Sequence, residues 1–188
     1  MALQSQWYFT GLPVDIIKIL EKDLNKYFDP SMEESKLVDN QIDKHKRNSM
    51  NTWIPTEHWI GGWVWHYIMK SNKQNFLYDI TNIEEEHMQY TQYGEGEFYN
   101  WHIDSGISQM KKPDDFIRKI SFSLQLSEPD EYEGGNLELI DENRKRYVAP
   151  RQRGSLILFD SRTQHRVCKV TKGVRKSLVG WVVGPRWK

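Results

Sequence analysis

Cysteine is almost missing. Cys168 is the single one in 188 residues, so no disulfide can close within the chain, and a reducing compartment is the expected setting. An excess of either charge is missing too, with Lys plus Arg and Asp plus Glu both at 26. No global field draws the chain to nucleic acid, an anionic membrane or acidic substrates, so partners must be chosen by local sites. The longest uncharged apolar stretch, WIGGWVWHYIM, falls well short of the roughly 20 residues that cross a bilayer. The opening MALQSQWYF lacks the basic start, apolar stretch and small-residue cleavage site of a secretory signal. These absences predict a cytoplasmic protein with no membrane partner. Repeats, low-complexity tracts and linkers are also absent, and the length suits a single domain over residues 1–188.

Aromatic residues are plentiful instead, with eight Trp and nine Tyr, which suits broad β surfaces as well as a tight core. After a strand-like QWYFTG, apolar Ile16, Ile17, Leu20 and Leu24 recur at helical spacing behind Pro13, which predicts a helix to about Phe28. Residues 29–50 are polar and irregular and lead into a possible strand at NSMNTWIP. Thr56 is the expected N-cap of a second helix reaching about Leu77, weakened early by Gly61 and Gly62.

From residue 83 the period becomes two, in about eight short runs from IEEEHMQYTQY to VRKSLVGWVV. The order predicts a mainly β fold with N-terminal helices (α+β): residues 1–82 as helical support and 83–188 as the catalytic core, a β sandwich or open barrel with helices on one side. In KISFSLQL, Ile120, Phe122, Leu124 and Leu126 share one face, while Ser121, Ser123 and Gln125 share the other, which is expected to face solvent. The polar loop 105–115 reads first as an ordinary exposed loop and is the candidate for a mobile flap.

The chemistry concentrates in YNWHID. On an extended segment His102 and Asp104 share a face. Of the six histidines only His165 follows this pair; His58 and His66 belong to the second helix, and His87 is a weaker competitor. Two imidazoles and a carboxylate suit Fe(II), leaving coordination positions open for a chelating cosubstrate and dioxygen. Ten residues after His165, Arg175 opens a strand on which Ser177, Val179 and Trp181 share its face, so a cation, a hydroxyl and an indole line one wall. A guanidinium so placed can hold a carboxylate through two charge-assisted bonds.

With these residues in place, YGEGEFYNWHID, EYEGGNLEL and GSLILFDSRTQHRVCKVTKGVRKSLVGWV, in that order, resemble the Fe(II)- and 2-oxoglutarate-dependent oxygenases, specifically the prolyl 4-hydroxylase-like branch and its bacterial and phage hydroxylases. The resemblance runs from about Tyr90 to Trp181. It implies a double-stranded β-helix, or jelly roll, of the cupin-like kind. It implies that His102, Asp104 and His165 are the catalytic metal ligands and that Arg175 binds the far carboxylate of 2-oxoglutarate. Tyr93, Ser177, Gln125 and Trp181 are the further cosubstrate-binding candidates, although relatives often carry a tyrosine where Gln125 stands. Tyr99 and Trp101 are candidates for the substrate groove.

Fe(II), 2-oxoglutarate and O2 are the implied cofactors, with L-ascorbate as a reductant. The implied reaction hydroxylates a C–H bond, with prolyl residues of a peptide or protein as the favoured substrate and conversion of 2-oxoglutarate to succinate and CO2. For a chain of phage origin the location would be the host cytoplasm. An intact Asp104 argues against a halogenase. A hydroxylase of a free amino acid or other small substrate, a cupin-like metalloenzyme that does not use 2-oxoglutarate, and a non-catalytic jelly-roll binding protein are the alternatives. Nucleic acid is disfavoured because ENRKRYVAPRQR reads as a solvated strand turn rather than a basic stripe.

Overall fold

A computed structural model describes residues 6–36, 43–105 and 116–187. The chain opens with β1 (Trp7–Gly11) and α1 (Val14–Asp23), followed by a wider turn at Leu24–Phe28. Next come β2 (Glu33–Glu34), β3 (Arg47–Asn48), β4 (Met50–Pro55) and α2 (Trp59–Ser71). The remainder is β: β5 (Asn82–Ile83), β6 (His87–Tyr93), β7 (Phe98–His102), β8 (Ile117–Gln125), β9 (Tyr132–Gly134) and β10 (Leu137–Ile140). It closes with β11 (Arg146–Val148), β12 (Ser155–Asp160), β13 (His165–Val167), β14 (Val170–Gly173) and β15 (Arg175–Gly184).

The larger sheet runs β1-β12-β8-β15-β6-β4-β2, with β5 added on β15; the smaller runs β11-β10-β13-β7-β3; β9 and β14 form a separate ribbon. All these pairings are antiparallel. The mostly β architecture with two helices matches the sequence reading. The expected division at residue 82 is not a break in hydrogen bonding, because β1, β2 and β4 from the helical half extend both edges of the larger sheet.

Each face of the larger sheet has its own apolar cluster. Ile17, Leu20 and Leu24 of the first helical segment, with Ile60, Val64 and Ile68 of α2, pack on Ile54, Met88, Ile120, Phe122, Leu124, Leu158 and Leu178. On the opposite face, Ile157 and Phe159 meet Leu137, Leu139 and Val167 of the smaller sheet. The alternation of β8 therefore sends Ile120, Phe122 and Leu124 towards the helices. Ser121, Ser123 and Gln125 face inwards and are 2%, 4% and 2% exposed, so the solvent expectation for them is corrected.

The second helix is also shorter than its apolar pattern predicts. It starts at Trp59, capped by His58, whose Nδ1 accepts from the Ile60 amide at 3.4 Å, and it ends in a wider turn closed by left-handed Leu77. Thr56 is not the cap. Its carbonyl presses on Gly61 so closely that a Cβ there would lie 2.1 Å from the oxygen, so this glycine is required by the approach. Among the described residues, no helix is long and apolar enough to cross a membrane. The loop 105–115 lies, beyond Ser105, outside the described residues.

Candidate active site

Neighbouring strands of the smaller sheet bring two imidazoles together: His102 ends β7, His165 begins β13, and the two are direct antiparallel partners. Their ring centroids are 4.1 Å apart. Each ring is oriented by a backbone carbonyl two residues earlier. His102 Nδ1 donates to the Asn100 carbonyl at 2.7 Å and His165 Nδ1 to that of Thr163 at 3.0 Å. That leaves both Nε2 lone pairs free to bind a cation.

They turn towards Asp104, which sits 3.6 Å from His102 Nε2 and 3.4 Å from His165 Nε2. The ligand atoms of all three residues lie within 4.8 Å of one another. Asp104 is held on both sides of its side chain: its amide donates to the Ser161 carbonyl at 3.0 Å, and Ser121 Oγ donates to Oδ2 at 2.7 Å.

The electrostatics keep this set ready for a metal. Burial, with His165 alongside, pushes His102 down to about 4, so its imidazole is neutral near pH 7. Burial opposes the charged form of Asp104, but the two histidines, Arg118 and the Ser121 hydroxyl outweigh it and hold the carboxyl below its usual range. Two imidazoles and one carboxylate, with no thiolate, fit Fe(II) with open positions.

Arg175 lies in the same cavity, which His102, Asp104, His165, Tyr93, Ser177 and Trp181 also line. It is 2% exposed, and its polar contacts are neutral: Nη1 donates to Ser177 Oγ at 3.2 Å and Nη2 to Gln125 Oε1 at 3.1 Å. The face of Tyr93 lies 5.7 Å from its guanidinium carbon. Among the described residues no carboxylate pairs with it, and burial, with Arg151 adding to it, lowers its proton affinity. A buried, uncompensated guanidinium is costly, and an incoming carboxylate would relieve that cost. Gln125 reaches the guanidinium and donates to Tyr132 Oη at 2.8 Å.

The two groove candidates part company. Period two would set Tyr99 and Trp101 on the same face, but the pairing of β7 with β13 slips between Val167↔Tyr99 and His165↔His102. This bulge turns Tyr99 inwards, where it stacks on His102 with centroids 3.6 Å apart and 16° between planes. Trp101 stays outside the cavity lining and lies under Arg166, 4.6 Å from its guanidinium carbon. Sequence reading missed Ser121, Tyr132 and Phe159, the last with its ring 4.6 Å from that of His165. The polar face of β8 was the available signal for Ser121; nothing in a single sequence marks the other two.

Comparisons with known proteins point to one family. The sequence model of the 2OG-Fe(II) oxygenase superfamily matches residues 88–183. A PKHD-type hydroxylase of Parvibaculum lavamentivorans is 37% identical over 92 residues, which cover 49% of this chain and 39% of that protein. Another, from Hyphomonas neptunium, is 41% identical over 90 residues, covering 47% and 39%. The matched stretch thus spans about two fifths of these relatives' length. Among solved structures, a Pseudomonas putida prolyl-4-hydroxylase superposes with a TM-score of 0.73 at 20% identity, over 96% of this chain and 93% of its own. A Trichoplax adhaerens prolyl hydroxylase, in complex with a hypoxia inducible factor oxygen degradation domain peptide fragment, gives 0.75 at 20% identity, over 94% and 83%. The likeness to these two structures is one of fold, a double-stranded β-helix.

Proposed function

Because the chain belongs to the 2OG-Fe(II) oxygenase superfamily, we propose that it is an Fe(II)- and 2-oxoglutarate-dependent dioxygenase that hydroxylates prolyl residues of a peptide or protein. The observation that carries this reading is the uncompensated Arg175 sharing one cavity with His102, Asp104 and His165. Bound Fe(II), with 2-oxoglutarate and O2, supplies the oxidative chemistry, which yields succinate, CO2 and a hydroxylated carbon.

The chain's own residues do the rest. His102 and His165 offer their Nε2 lone pairs, and Ser121 orients the Asp104 carboxylate. Arg175 takes the far carboxylate of 2-oxoglutarate through charge-assisted bonds, with Ser177 and Gln125 steadying the guanidinium and Tyr93 against its face. Trp181 and Phe159 wall the cavity and exclude water. The prolyl substrate is supported by two of the structural neighbours, which are prolyl hydroxylases, one of them holding a peptide. L-Ascorbate as reductant and a cytoplasmic setting belong to the same reading.

The test is mass spectrometry of proline-containing peptides after incubation with protein, Fe(II), 2-oxoglutarate and labelled O2. One labelled oxygen atom on proline is expected. Succinate formation with the label confined to another residue type would reject the prolyl assignment.

A further inference from the structure

The same cavity holds a second buried cation that the reaction above does not use. Arg47, on β3, lines the cavity and is 6% exposed. Its Nε donates to Ser49 Oγ at 3.0 Å and its Nη2 to Gln89 Oε1 at 2.7 Å. Its guanidinium carbon lies 4.9 Å from the centre of the Tyr99 ring, and Tyr99 is the ring stacked on His102. These partners are all neutral, and among the described residues no carboxylate forms an ion pair with Arg47. Arg118, by contrast, is clamped by both carboxylate oxygens of Glu84 through its Nε, at 2.9 and 2.8 Å.

Formal charge decides what is missing. An imidazole that binds a metal through Nε2 and a tyrosine phenol carry no formal charge, so His102 and the Tyr99 ring stacked on it add nothing to the balance. With cofactor and cosubstrate bound, Fe(II) contributes two positive charges and Arg175 and Arg47 one each, four in all. Asp104 contributes one negative charge and 2-oxoglutarate two, three in all. One positive charge remains, and the cosubstrate, drawn to Arg175, does not answer the one on Arg47. A desolvated guanidinium is expensive until an anion meets it.

Position also favours a substrate role. Gln89, which Arg47 holds, lines both this cavity and a groove bordered by Asn51, Thr52 and Trp53 and, further along, by Glu33, Glu34 and Lys36. Trp53 is half exposed and lies 6.4 Å from Trp181, a wall of the metal cavity. Arg47 therefore stands where the interior opens outwards.

The geometry points to Arg47 as the specificity residue of this site, taking a carboxylate of the substrate. In a peptide that carboxylate belongs to an acidic residue near the hydroxylated one; in a free amino acid it is the α-carboxylate. One aromatic ring separates Arg47 from His102, which sets the acidic residue two or three positions away at about 3.3 Å per extended residue. This inference rests on the dioxygenase reading and names the substrate chemistry of that same site.

The test reads binding rather than turnover. Protein loaded with redox-inert Zn(II) and 2-oxoglutarate is titrated with fluorescent proline peptides that differ only by Asp or Asn near the proline, with anisotropy as the readout. Wild type is expected to bind the Asp member about 10-fold more tightly, the scale of a charge-assisted bond. Arg47→Gln should close that gap, and Arg47→Lys, which keeps the charge, should retain part of it. Equal affinities in wild type, with no preference for free proline over prolinamide, overturn the inference even if Arg47→Gln fails to fold, as does a gap that persists in Arg47→Gln. Binding of free proline over prolinamide, lost in Arg47→Gln, supports the role of Arg47 and moves the substrate to a small amino acid. No binding of any of these ligands, by protein that still binds Zn(II) and 2-oxoglutarate, overturns the inference and leaves the dioxygenase reading standing.

Discussion

At the scale of single residues, the site is defined by which charges are answered and which are not. Arg118 is satisfied by Glu84, whereas among the described residues Arg175 and Arg47 hydrogen-bond to neutral groups. Asp104 is fixed through its side chain by Ser121 and through its backbone amide by the Ser161 carbonyl. Removing the Ser121 hydroxyl leaves the fold in place but frees the carboxylate to rotate. Ser121→Ala is therefore expected to weaken divalent-metal binding about 10- to 100-fold, measured by titration of metal-free protein. Unchanged affinity would show that the hydroxyl does not orient this ligand.

The depressed proton affinity of His102 has a stability consequence. Between pH 6.5 and about 4 the unfolded chain protonates this histidine while the folded protein does not, so the unfolded state binds more protons there. Stability of the metal-free protein is thus full above pH 6.5 and declines as pH falls towards 4. Asp104, held low, adds a further loss only below the ordinary carboxylate range. Thermal melts at pH 7.5, 6 and 5 should show the decline, and it should be shallower in His102→Ala. Parallel declines in the two proteins would remove His102 from this role.

At the scale of elements, the helices and strands follow the periodicity that the sequence displays, and the departures have local causes. Apolar spacing identifies α1 and α2, but not that α2 is capped at His58, because the approach of the Thr56 carbonyl is a tertiary contact. Two adjacent glycines that look alike in sequence thus differ. A Cβ on Gly61 would collide with Thr56, while one on Gly62 meets nothing within 4 Å. Gly61→Ala should cost about 1–3 kcal/mol by overpacking, and Gly62→Ala should stabilise by up to about 1 kcal/mol through helix propensity. Urea denaturation measures both, and effects of the same sign would contradict the contact. Likewise, alternation places His102 and Asp104 together but cannot reveal the bulge that turns Tyr99 inwards and leaves Trp101 outside.

At the scale of the whole molecule, what was legible was the order of elements and the residues with costly chemistry: His102, Asp104, His165 and Arg175. Their meeting depends on strand pairings between residues far apart in the chain, and the ordered motifs of a family carry that information better than any single spacing. Residues whose meaning depends on depth were harder to read. Ser121, Ser123 and Gln125 alternate as solvent-facing residues would, yet a second sheet covers them. Arg47 lies in a polar stretch that looks irregular until β3 pairs with β7.

The central claim is that His102, Asp104 and His165 gather one ferrous ion in a cavity where Arg175 awaits the cosubstrate's far carboxylate. It is tested most directly by adding 2-oxoglutarate to the Fe(II)-loaded protein under anaerobic conditions and recording the visible spectrum. A weak charge-transfer band is expected in wild type, with Arg175→Ala requiring much more 2-oxoglutarate to produce it. A folded, iron-loaded wild type that gives no band, or an Arg175→Ala variant with an unchanged requirement, would contradict the account.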